Sequence, residues 1–412
     1  MTPASRRETV VFRSAVAVLL AHVVTDAFVA LEPGASRREH AAWAAIALAG
    51  GGIAAWRYPR LRPGLRATLA LVLGALALVA GGIAAVHAAG SGPEGDDWTG
   101  LLLLPAGAAL CLLGAVVLWR SRRRSGRVWL RRALIAIGAV LAVYWLLLPV
   151  AIAYIATHTP RDTVEPADLG RPYEAVALET SDGLHLAGWY VPSENGAAVL
   201  VFPGRSGTVE EARMLAGRGY GVLLVDRRGQ GESDGDPNAF GWGGTEDVAA
   251  AIAWLEERRD VEDGRIGGLG LSVGGELLLQ AAAEGVGLAA VVSEGAGTRS
   301  IREDLIRGPA GWPSLPTAAT LTAATALLSW DAPPPSLEEL VGRIAPTPIL
   351  LVYAGHGQGG EDLSPDYFAA AGEPKELWEI PEAGHTGGLA ARPQEYEERV
   401  VGFLNEALLG GG

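Results

Sequence analysis

The chain has 412 residues, enough for more than one domain, and its charge is unevenly distributed. Residues 1–158 carry 16 Arg and 7 acidic residues, a net charge of +9; since the whole chain carries −13, residues 159–412 carry −22. An acidic C-terminal part repels phosphates, which argues against a nucleic-acid partner. The single cysteine, Cys111, excludes a disulfide within the chain and a thiolate metal cluster.

Five apolar runs in the first 158 residues predict a membrane segment. Crossing the hydrocarbon core of a bilayer takes roughly 20 helical residues. The second run is the shortest and is rich in glycine. A bundle of buried soluble helices is the alternative, but such helices carry a polar face that these runs largely lack. The predicted spans cover about residues 10–31, 41–56, 69–89, 101–119 and 133–156.

The arginines between these runs predict their orientation. The N-terminus and the connections at residues 57–66 and 120–132 are rich in arginine, whereas residues 90–97 contain three acids and no basic residue. Basic connections stay in the cytoplasm. An odd number of spans with a cytoplasmic N-terminus therefore predicts a multi-pass cell-membrane protein in which everything after His158 is extracytoplasmic.

A different pattern begins after the proline-containing linker at residues 159–172. Residues 173–180 and 185–191 flank a Ser-Asp-Gly turn, which indicates a β-hairpin. Short, continuously apolar strands then alternate with helices, which is typical of a mostly parallel sheet covered on both faces. Residues 173–412 are therefore predicted to form an α/β domain, with a cap at residues 295–345 between the sixth and seventh strands.

The pattern G-x-S-x-G occurs twice in this domain. At residues 270–274 it directly follows an apolar strand and directly precedes a helix, which is the setting of a nucleophile elbow. At residues 231–235 it lies in a polar loop, well before the next helix. The first context predicts Ser272 as a nucleophile, and the second predicts Ser233 as a loop serine.

Taken with three further motifs, residues 173–410 resemble the α/β-hydrolase superfamily, in particular dienelactone hydrolases and serine aminopeptidases. Residues 202–207, Phe-Pro-Gly-Arg-Ser-Gly, occupy the place of the oxyanion loop of that superfamily, although many relatives have His where Pro203 stands. Residues 226–233 look like its D-x-R-G-x-G-x-S loop, and residues 383–385, Ala-Gly-His, resemble the late G-H that carries its base.

The resemblance implies a role for each of several residues. His385 is the expected base, and it also follows Ser272 and the acidic loop in the chain order of this fold. The expected oxyanion donors are the backbone N–H groups of Arg205 and Val273, so the change at Pro203 need not abolish the oxyanion hole.

The acid of the expected triad is either Glu361 or Asp362, which lie side by side after the strand at residues 348–353. Relatives often read D-P-V-V-P in this loop, and aligning its last proline with Pro365 favours Glu361. A shift of one residue favours Asp362, which could instead cap the following helix.

The implied chemistry is acyl transfer to water through an acyl-serine intermediate. The fold does not choose among ester, thioester, amide and peptide substrates. The apolar stretch at residues 318–330 could cover the pocket or rest on the membrane surface, and a small-molecule acyl ester with an apolar, lipid-like chain is the expected substrate. The alternatives are a serine peptidase of the prolyl-oligopeptidase or aminopeptidase type, and a catalytically inactive membrane receptor or scaffold. No cofactor or metal site is predicted.

Overall fold

The computed structural model describes residues 4–28, 37–91, 97–121, 126–158, 168–204, 208–308, 311–357 and 359–410. The chain divides into two compact units, Met1–Leu148 and Pro149–Gly412. The second unit begins ten residues before the predicted domain boundary at residue 158. Of the predicted linker, residues 159–167 lie outside the described residues.

The first unit consists of helices formed by the apolar runs of the sequence. Its α-helices, with the last one ending in the second unit, are α1 (Arg6–Phe28), α2 (Arg37–Arg57), α3 (Pro63–Ser91), α4 (Asp97–Leu101), α5 (Leu103–Arg120), α6 (Gly126–Ala142) and α7 (Leu148–Ala156). A π-helical turn, Val143–Leu147, joins α6 to α7.

Four helical segments among the described residues are long and apolar enough to cross a membrane. They are Arg6–Thr25, Pro63–Gly82, Trp98–Arg120 and Leu130–Ala156. The predicted second span, residues 41–56, forms most of α2 but is not one of these four. Helix α2 begins with two arginines and a glutamate and contains three successive glycines, so its apolar part is short.

An eight-stranded sheet forms the centre of the second unit. The strands lie in the order β1-β2-β4-β3-β5-β6-β7-β8. The pairs β1–β2 and β2–β4 are antiparallel and all other pairs are parallel, as the apolar strands of the sequence predict. The strands are β1 (Glu174–Glu179), β2 (His185–Val191), β3 (Ala198–Phe202), β4 (Gly221–Val225), β5 (Ile266–Leu271), β6 (Ala290–Glu294), β7 (Ile349–His356) and β8 (Lys375–Gly384).

Helices cover both faces of this sheet. Alternate residues of a strand point to opposite faces: in β3, Leu200 belongs to a core cluster with α9 and α10, whereas Val199 belongs to a cluster with α8 and α16. The helices of the unit are α8 (Val209–Gly217), α9 (Thr245–Glu256), α10 (Val273–Ala283), α11 (Ile301–Ile306), α12 (Leu315–Ser329), α13 (Leu337–Val341), α14 (Ser364–Ala370), α15 (Gly388–Ala391) and α16 (Pro393–Leu409).

The segment between β6 and β7, where the sequence predicts a cap at residues 295–345, contains α11, α12 and α13. Its start is joined to the loop after β7, because Thr298 N–H donates to the Gly359 carbonyl at 2.7 Å. A salt bridge of 2.5 Å between Arg307 and Asp362 forms a second link. These contacts place the segment beside the loop that carries both acid candidates.

Candidate active site

Ser272 lies in a sharp turn between β5 and α10. Its backbone has φ 53° and ψ −124°, a conformation that is strained for a residue with a side chain and that lifts the hydroxyl above the sheet. Both flanking glycines are required: a Cβ at Gly270 would lie 2.5 Å from the Gly274 backbone, and one at Gly274 would collide with the Phe202 carbonyl. The motif therefore has a steric explanation at each glycine.

The imidazole of His385 lies between a hydroxyl and a carboxylate. Its Nε2 is 2.9 Å from Ser272 Oγ, and its Nδ1 contacts Glu361 Oε1. Glu361 is 1% exposed, and its Oε2 accepts from the Ala354 N–H at 3.0 Å. A buried carboxylate on Nδ1 favours the tautomer in which Nδ1 carries the proton, so Nε2 is free to accept one from Ser272.

Asp362 follows Glu361 directly but has different surroundings. Its side chain is 68% exposed and forms the ion pair with Arg307. The short 3₁₀ turn Glu361–Leu363 sends the first carboxylate inward to His385 and the second outward to the segment between β6 and β7.

The predicted oxyanion donors are described in part. Val273 is the first residue of α10, so its N–H lies at a helix N-terminus directly after Ser272. Arg205 lies outside the described residues. Its neighbour Gly204 packs against the nucleophile, since a Cβ there would lie 3.0 Å from Ser272 Cβ. The Gly204 carbonyl accepts from Arg227 Nη2 at 3.0 Å, which holds Gly204 in place beside Ser272.

Ser233, the centre of the second G-x-S-x-G match, is fully buried in a loop. Its hydroxyl donates to the Asp226 carbonyl at 2.6 Å and accepts from the Ala187 N–H at 2.9 Å. It therefore fastens the loop after β4 to strand β2, as expected of a loop serine.

A buried acid behind the His385 loop was not found by the sequence reasoning. Glu294, the last residue of β6, accepts from the Gly388 N–H at 2.8 Å and from the Tyr396 hydroxyl at 2.6 Å. Its own carbonyl accepts from the Ser272 N–H at 2.7 Å. Burial raises the pKa of the Glu294 carboxyl. The available signal was an acid that ends an otherwise buried strand, which requires donors on neighbouring elements.

Glu211 in α8 is a second buried acid of this region. Burial raises the pKa of its carboxyl to about 7, and the Glu294 carboxylate adds to this rise. In the described part of the chain, no group of three or more His, Cys, Asp or Glu side chains could hold a metal ion. The groups that the structure brings together at the candidate site are the Ser272 hydroxyl, the His385 imidazole and the Glu361 carboxylate.

Comparison with known proteins identifies the superfamily. The X-Pro dipeptidyl-peptidase (S15) family matches residues 157–347. The uncharacterized protein Rv2307c of Mycobacterium tuberculosis is 34% identical over 249 residues, which cover 57% of this chain and 80% of that protein. The chain belongs to the α/β-hydrolase superfamily. The likeness extends to enterobacteria: YfhR of Escherichia coli is 28% identical over 254 residues, 57% of this chain and 81% of YfhR.

A solved structure shows the same fold as this α/β-hydrolase. An esterase of Pyrococcus furiosus superposes with a TM-score of 0.51 at 21% identity, covering 61% of this chain and 98% of the esterase. At that identity the likeness concerns the fold alone. The mostly parallel sheet of eight strands and the apolar N-terminal helices thus agree with the fold class that the sequence predicts.

Proposed function

We propose that the chain is a membrane-anchored serine hydrolase that cleaves an ester or a related acyl bond through an acyl-serine intermediate. The observation that carries the proposal is the contact of His385 with Ser272 Oγ on one ring nitrogen and with Glu361 on the other. In this assignment Ser272 is the nucleophile, His385 the base and Glu361 the acid. The pairing of the exposed Asp362 carboxylate with Arg307 supports the choice of Glu361 over Asp362.

Each residue has a defined part in the first half of the reaction. Nε2 of His385 takes the proton of the Ser272 hydroxyl while Oγ bonds to the substrate carbonyl carbon, and the C=O electron pair moves to its oxygen. The N–H groups of Val273 and Arg205 are the proposed donors to that oxyanion. Glu361 stabilises the imidazolium that forms. As the carbonyl re-forms, the bond to the leaving oxygen breaks and that oxygen takes the proton from Nε2.

The second half repeats these steps with water. The same nitrogen removes a proton from a water molecule that attacks the acyl-serine, and the proton then returns to Ser272 Oγ as the carboxylic acid leaves. A buried carboxylate with a second hydrogen bond, from the Ala354 N–H, supports this role for Glu361 because the base needs a fixed orientation in both halves.

Labelling with a fluorophosphonate probe tests the proposal on the full-length protein. The expected result is a single phosphonylated residue, Ser272, identified by mass spectrometry of the digested chain. Absence of labelling in folded protein would contradict the proposal and favour the inactive receptor or scaffold. Labelling at another serine would contradict the assignment of the nucleophile.

A serine peptidase is the second candidate, and the match to the X-Pro dipeptidyl-peptidase family supports it. The two candidates differ in the leaving group, an alkoxide or an amine. Rates on p-nitrophenyl acyl esters and on aminoacyl-prolyl p-nitroanilides would separate them. Hydrolysis of the esters alone supports the ester hydrolase, and preferential hydrolysis of the anilides supports the peptidase.

The membrane anchor and its orientation are also proposals, supported by the four candidate spans and by the arginine-rich connections. Helix α2 decides the parity. Five spans put the hydrolase domain outside the cytoplasm, whereas four put it on the same side as the N-terminus. An alkaline phosphatase fusion after residue 163 is expected to be active; an inactive fusion that is nevertheless expressed would contradict the extracytoplasmic location.

A further inference from the structure

The second unit contains two short apolar helices with opposite surroundings. Helices α10 and α12 are both apolar along their length. Helix α10 is buried on the sheet, with most of its residues in the core. Helix α12 has only Ala324 and Thr325 buried, and its remaining side chains reach the surface to different degrees. Helix α12 thus lies at the surface although it is, like the buried α10, apolar overall and free of basic residues.

The exposed positions of α12 form one stripe. They recur at intervals of three or four residues, which places them on a single face of the helix. All of them are apolar, and residues 315–330 contain no charged side chain. Leu327 is 73% exposed and Trp330 is 89% exposed. The exposed residues are Pro316, Ala319, Ala323, Leu327 and Trp330.

Exposing this apolar face of α12 to water is energetically unfavourable. Surface helices normally carry charged or polar residues outward, and removing a large apolar side chain from water is worth roughly 1.5–3 kcal/mol. Trp330 ends α12 in the left-handed region with φ 63°, a backbone that only a minority of residues other than glycine adopt. A second tryptophan, Trp312, precedes the helix and is 61% exposed. Tryptophans concentrate where hydrocarbon meets lipid headgroups, so an uncharged apolar stripe with a tryptophan near each end is suited to contact with a bilayer.

Hydrogen bonds inside the second unit connect this face to the end of the last candidate span. That span ends at Ala156, whose carbonyl accepts from the Ala239 N–H at 2.8 Å. The neighbouring Asn238 amide donates to the Asp331 carboxylate at 3.4 Å. Asp331 directly follows Trp330. Within the second unit, the C-terminal end of α12 is therefore linked to the residue at which the candidate span ends.

The end of the span itself has the side chains of an interface. Tyr154, in the last turn of α7, is 54% exposed and stacks on His158 with ring centroids 4.2 Å apart. Tyrosine and tryptophan concentrate where hydrocarbon meets lipid headgroups. Tyr154 lies near one end of the hydrogen-bonded connection between Ala156 and Asp331, and Trp330 lies at its other end. Both ends thus carry a side chain that is common at a membrane interface.

We propose that the exposed face of α12 rests on the phospholipid bilayer in which the spans of this chain lie. The inference rests on the membrane anchoring proposed above. The contact is apolar rather than electrostatic, since the helix carries no basic side chain and residues 159–412 carry −22, which disfavours an anionic surface. It deepens the proposed function, because Arg307 and Thr298 join the segment that contains α12 to the loop of Glu361, and the expected substrate is therefore an acyl ester dissolved in the bilayer.

A fluorescence measurement on the full-length protein tests the contact. A single cysteine at Ala323→Cys, in a Cys111→Ala background, is labelled with the environment-sensitive dye NBD and reconstituted into phosphatidylcholine nanodiscs with and without a doxyl-labelled lipid. Glu406→Cys is the matched control, because Glu406 is exposed on α16, which packs on the face of the sheet opposite to α10.

Doxyl lipid is expected to remove emission from the dye at position 323 and to leave position 406 unchanged. Equal quenching at both positions, or none at position 323, would overturn the proposal. An emission shift at position 323 without doxyl quenching that grows with protein concentration would point to a second copy of the chain and would also overturn it. None of these readouts uses Ser272, so probe labelling in the same nanodiscs reports the proposed function separately.

The consequence for substrate access has its own test. The double variant Leu327→Ser, Trp330→Ser is expected to slow hydrolysis of a long-chain ester embedded in the bilayer while keeping the rate on a soluble short-chain ester. Tyr173→Ser, which changes a side chain that is 36% exposed elsewhere in the unit, is the control. Equal rates of the double variant and the wild type on the embedded ester would contradict access from the bilayer.

Discussion

Ser272 and Ser233 stand at the centres of two G-x-S-x-G segments of one domain, yet their surroundings have little in common. Ser272 follows a strand directly, adopts a positive φ and lies 2.9 Å from an imidazole nitrogen. Ser233 lies in a loop and uses its hydroxyl to join two backbone groups. The difference comes from the chain around each motif, because only a strand–turn–helix connection raises a hydroxyl above the sheet.

The same lesson applies to adjacent acids. Glu361 is buried against His385, while Asp362 is exposed against Arg307. Glu211 is buried, while Glu210 is exposed and pairs with Arg213. Each pair holds the residue type constant, or nearly so, and changes the environment. Substitutions within these pairs therefore test whether the environment decides the role.

Removing the two serine hydroxyls is expected to give the largest contrast. Ser272→Ala should abolish probe labelling and lower kcat by about 10⁶-fold, the size of effect seen when a triad serine is removed. Ser233→Ala should keep kcat near that of the wild type. It leaves the partly buried Ala187 N–H without this acceptor, so it should cost about 1 kcal/mol of stability.

Steady-state kinetics and the Tm of both variants in detergent provide the measurement. A Ser272→Ala variant with unchanged Tm and no activity fits the assignment. The comparison breaks down if Ser233→Ala is the inactive variant and Ser272→Ala still reacts with the probe.

The two neighbouring acids are expected to differ by a smaller but still large factor. Glu361→Gln should lower kcat by about 10⁴-fold, because the imidazole loses the group that fixes its tautomer and stabilises its positive charge. Asp362→Asn should change kcat little, since it removes only an exposed ion pair worth about 0–1 kcal/mol.

Measuring kcat of Glu361→Gln and Asp362→Asn at one pH is sufficient to decide which of the two residues is the acid. A kcat loss confined to Asp362→Asn would overturn the choice of Glu361 while leaving Ser272 and His385 in their roles.

The elements and the strand–turn–helix elbow that holds the proposed nucleophile could be predicted from the sequence because their signals are local. The hairpin at 173–191, the apolar strands and the elbow at 270–274 each depend on residues within a few positions of one another. The choice between Glu361 and Asp362 depends on a single residue of alignment register in the sequence, and only the 3₁₀ turn of the structure shows that the two side chains point in different directions. The contact of Glu294 with Tyr396 joins residues 102 positions apart, and only the packing of α16 beneath β6 brings them together.

Glu294 is a further buried acid, and its carboxylate is hydrogen-bonded to Gly388 and Tyr396 rather than to the proposed triad. It is expected to act as a positioning residue, since it holds the Gly388 N–H, three residues after His385, and the Tyr396 hydroxyl. Glu294→Gln replaces one acceptor oxygen by an NH₂ group that faces a donor. We expect the lost interaction to let His385 shift and to raise the activation free energy by about 1.4 kcal/mol. The kcat should then fall about tenfold.

The measurement is kcat and KM on a short-chain ester, with Tyr396→Phe as a control that removes one donor and leaves the carboxylate. A fall in kcat at constant KM, larger for Glu294→Gln than for Tyr396→Phe, indicates positioning of the base. A lower Tm with unchanged kcat would show that the acid only supports the fold.

Glu211 and Glu210 give the smallest expected effect, and it depends on pH. The folded-state pKa of Glu211 is about 7, above its ordinary value of 4.5. Between these two values the folded protein still holds the proton that the unfolded chain has lost, so Glu211 makes the free energy of unfolding fall as pH rises from about 4.5 to about 7. A shift of this size corresponds to at most about 3 kcal/mol of lost stability above pH 7.

Glu211→Gln removes this penalty, so the variant should match the wild type near pH 4 and exceed its Tm by several degrees at pH 8. Glu210→Gln, which changes an exposed partner of Arg213, should follow the wild type at both pH values. A Tm gain of Glu211→Gln that is equal at pH 4 and pH 8 would mean that packing rather than ionisation distinguishes the buried acid from its exposed neighbour.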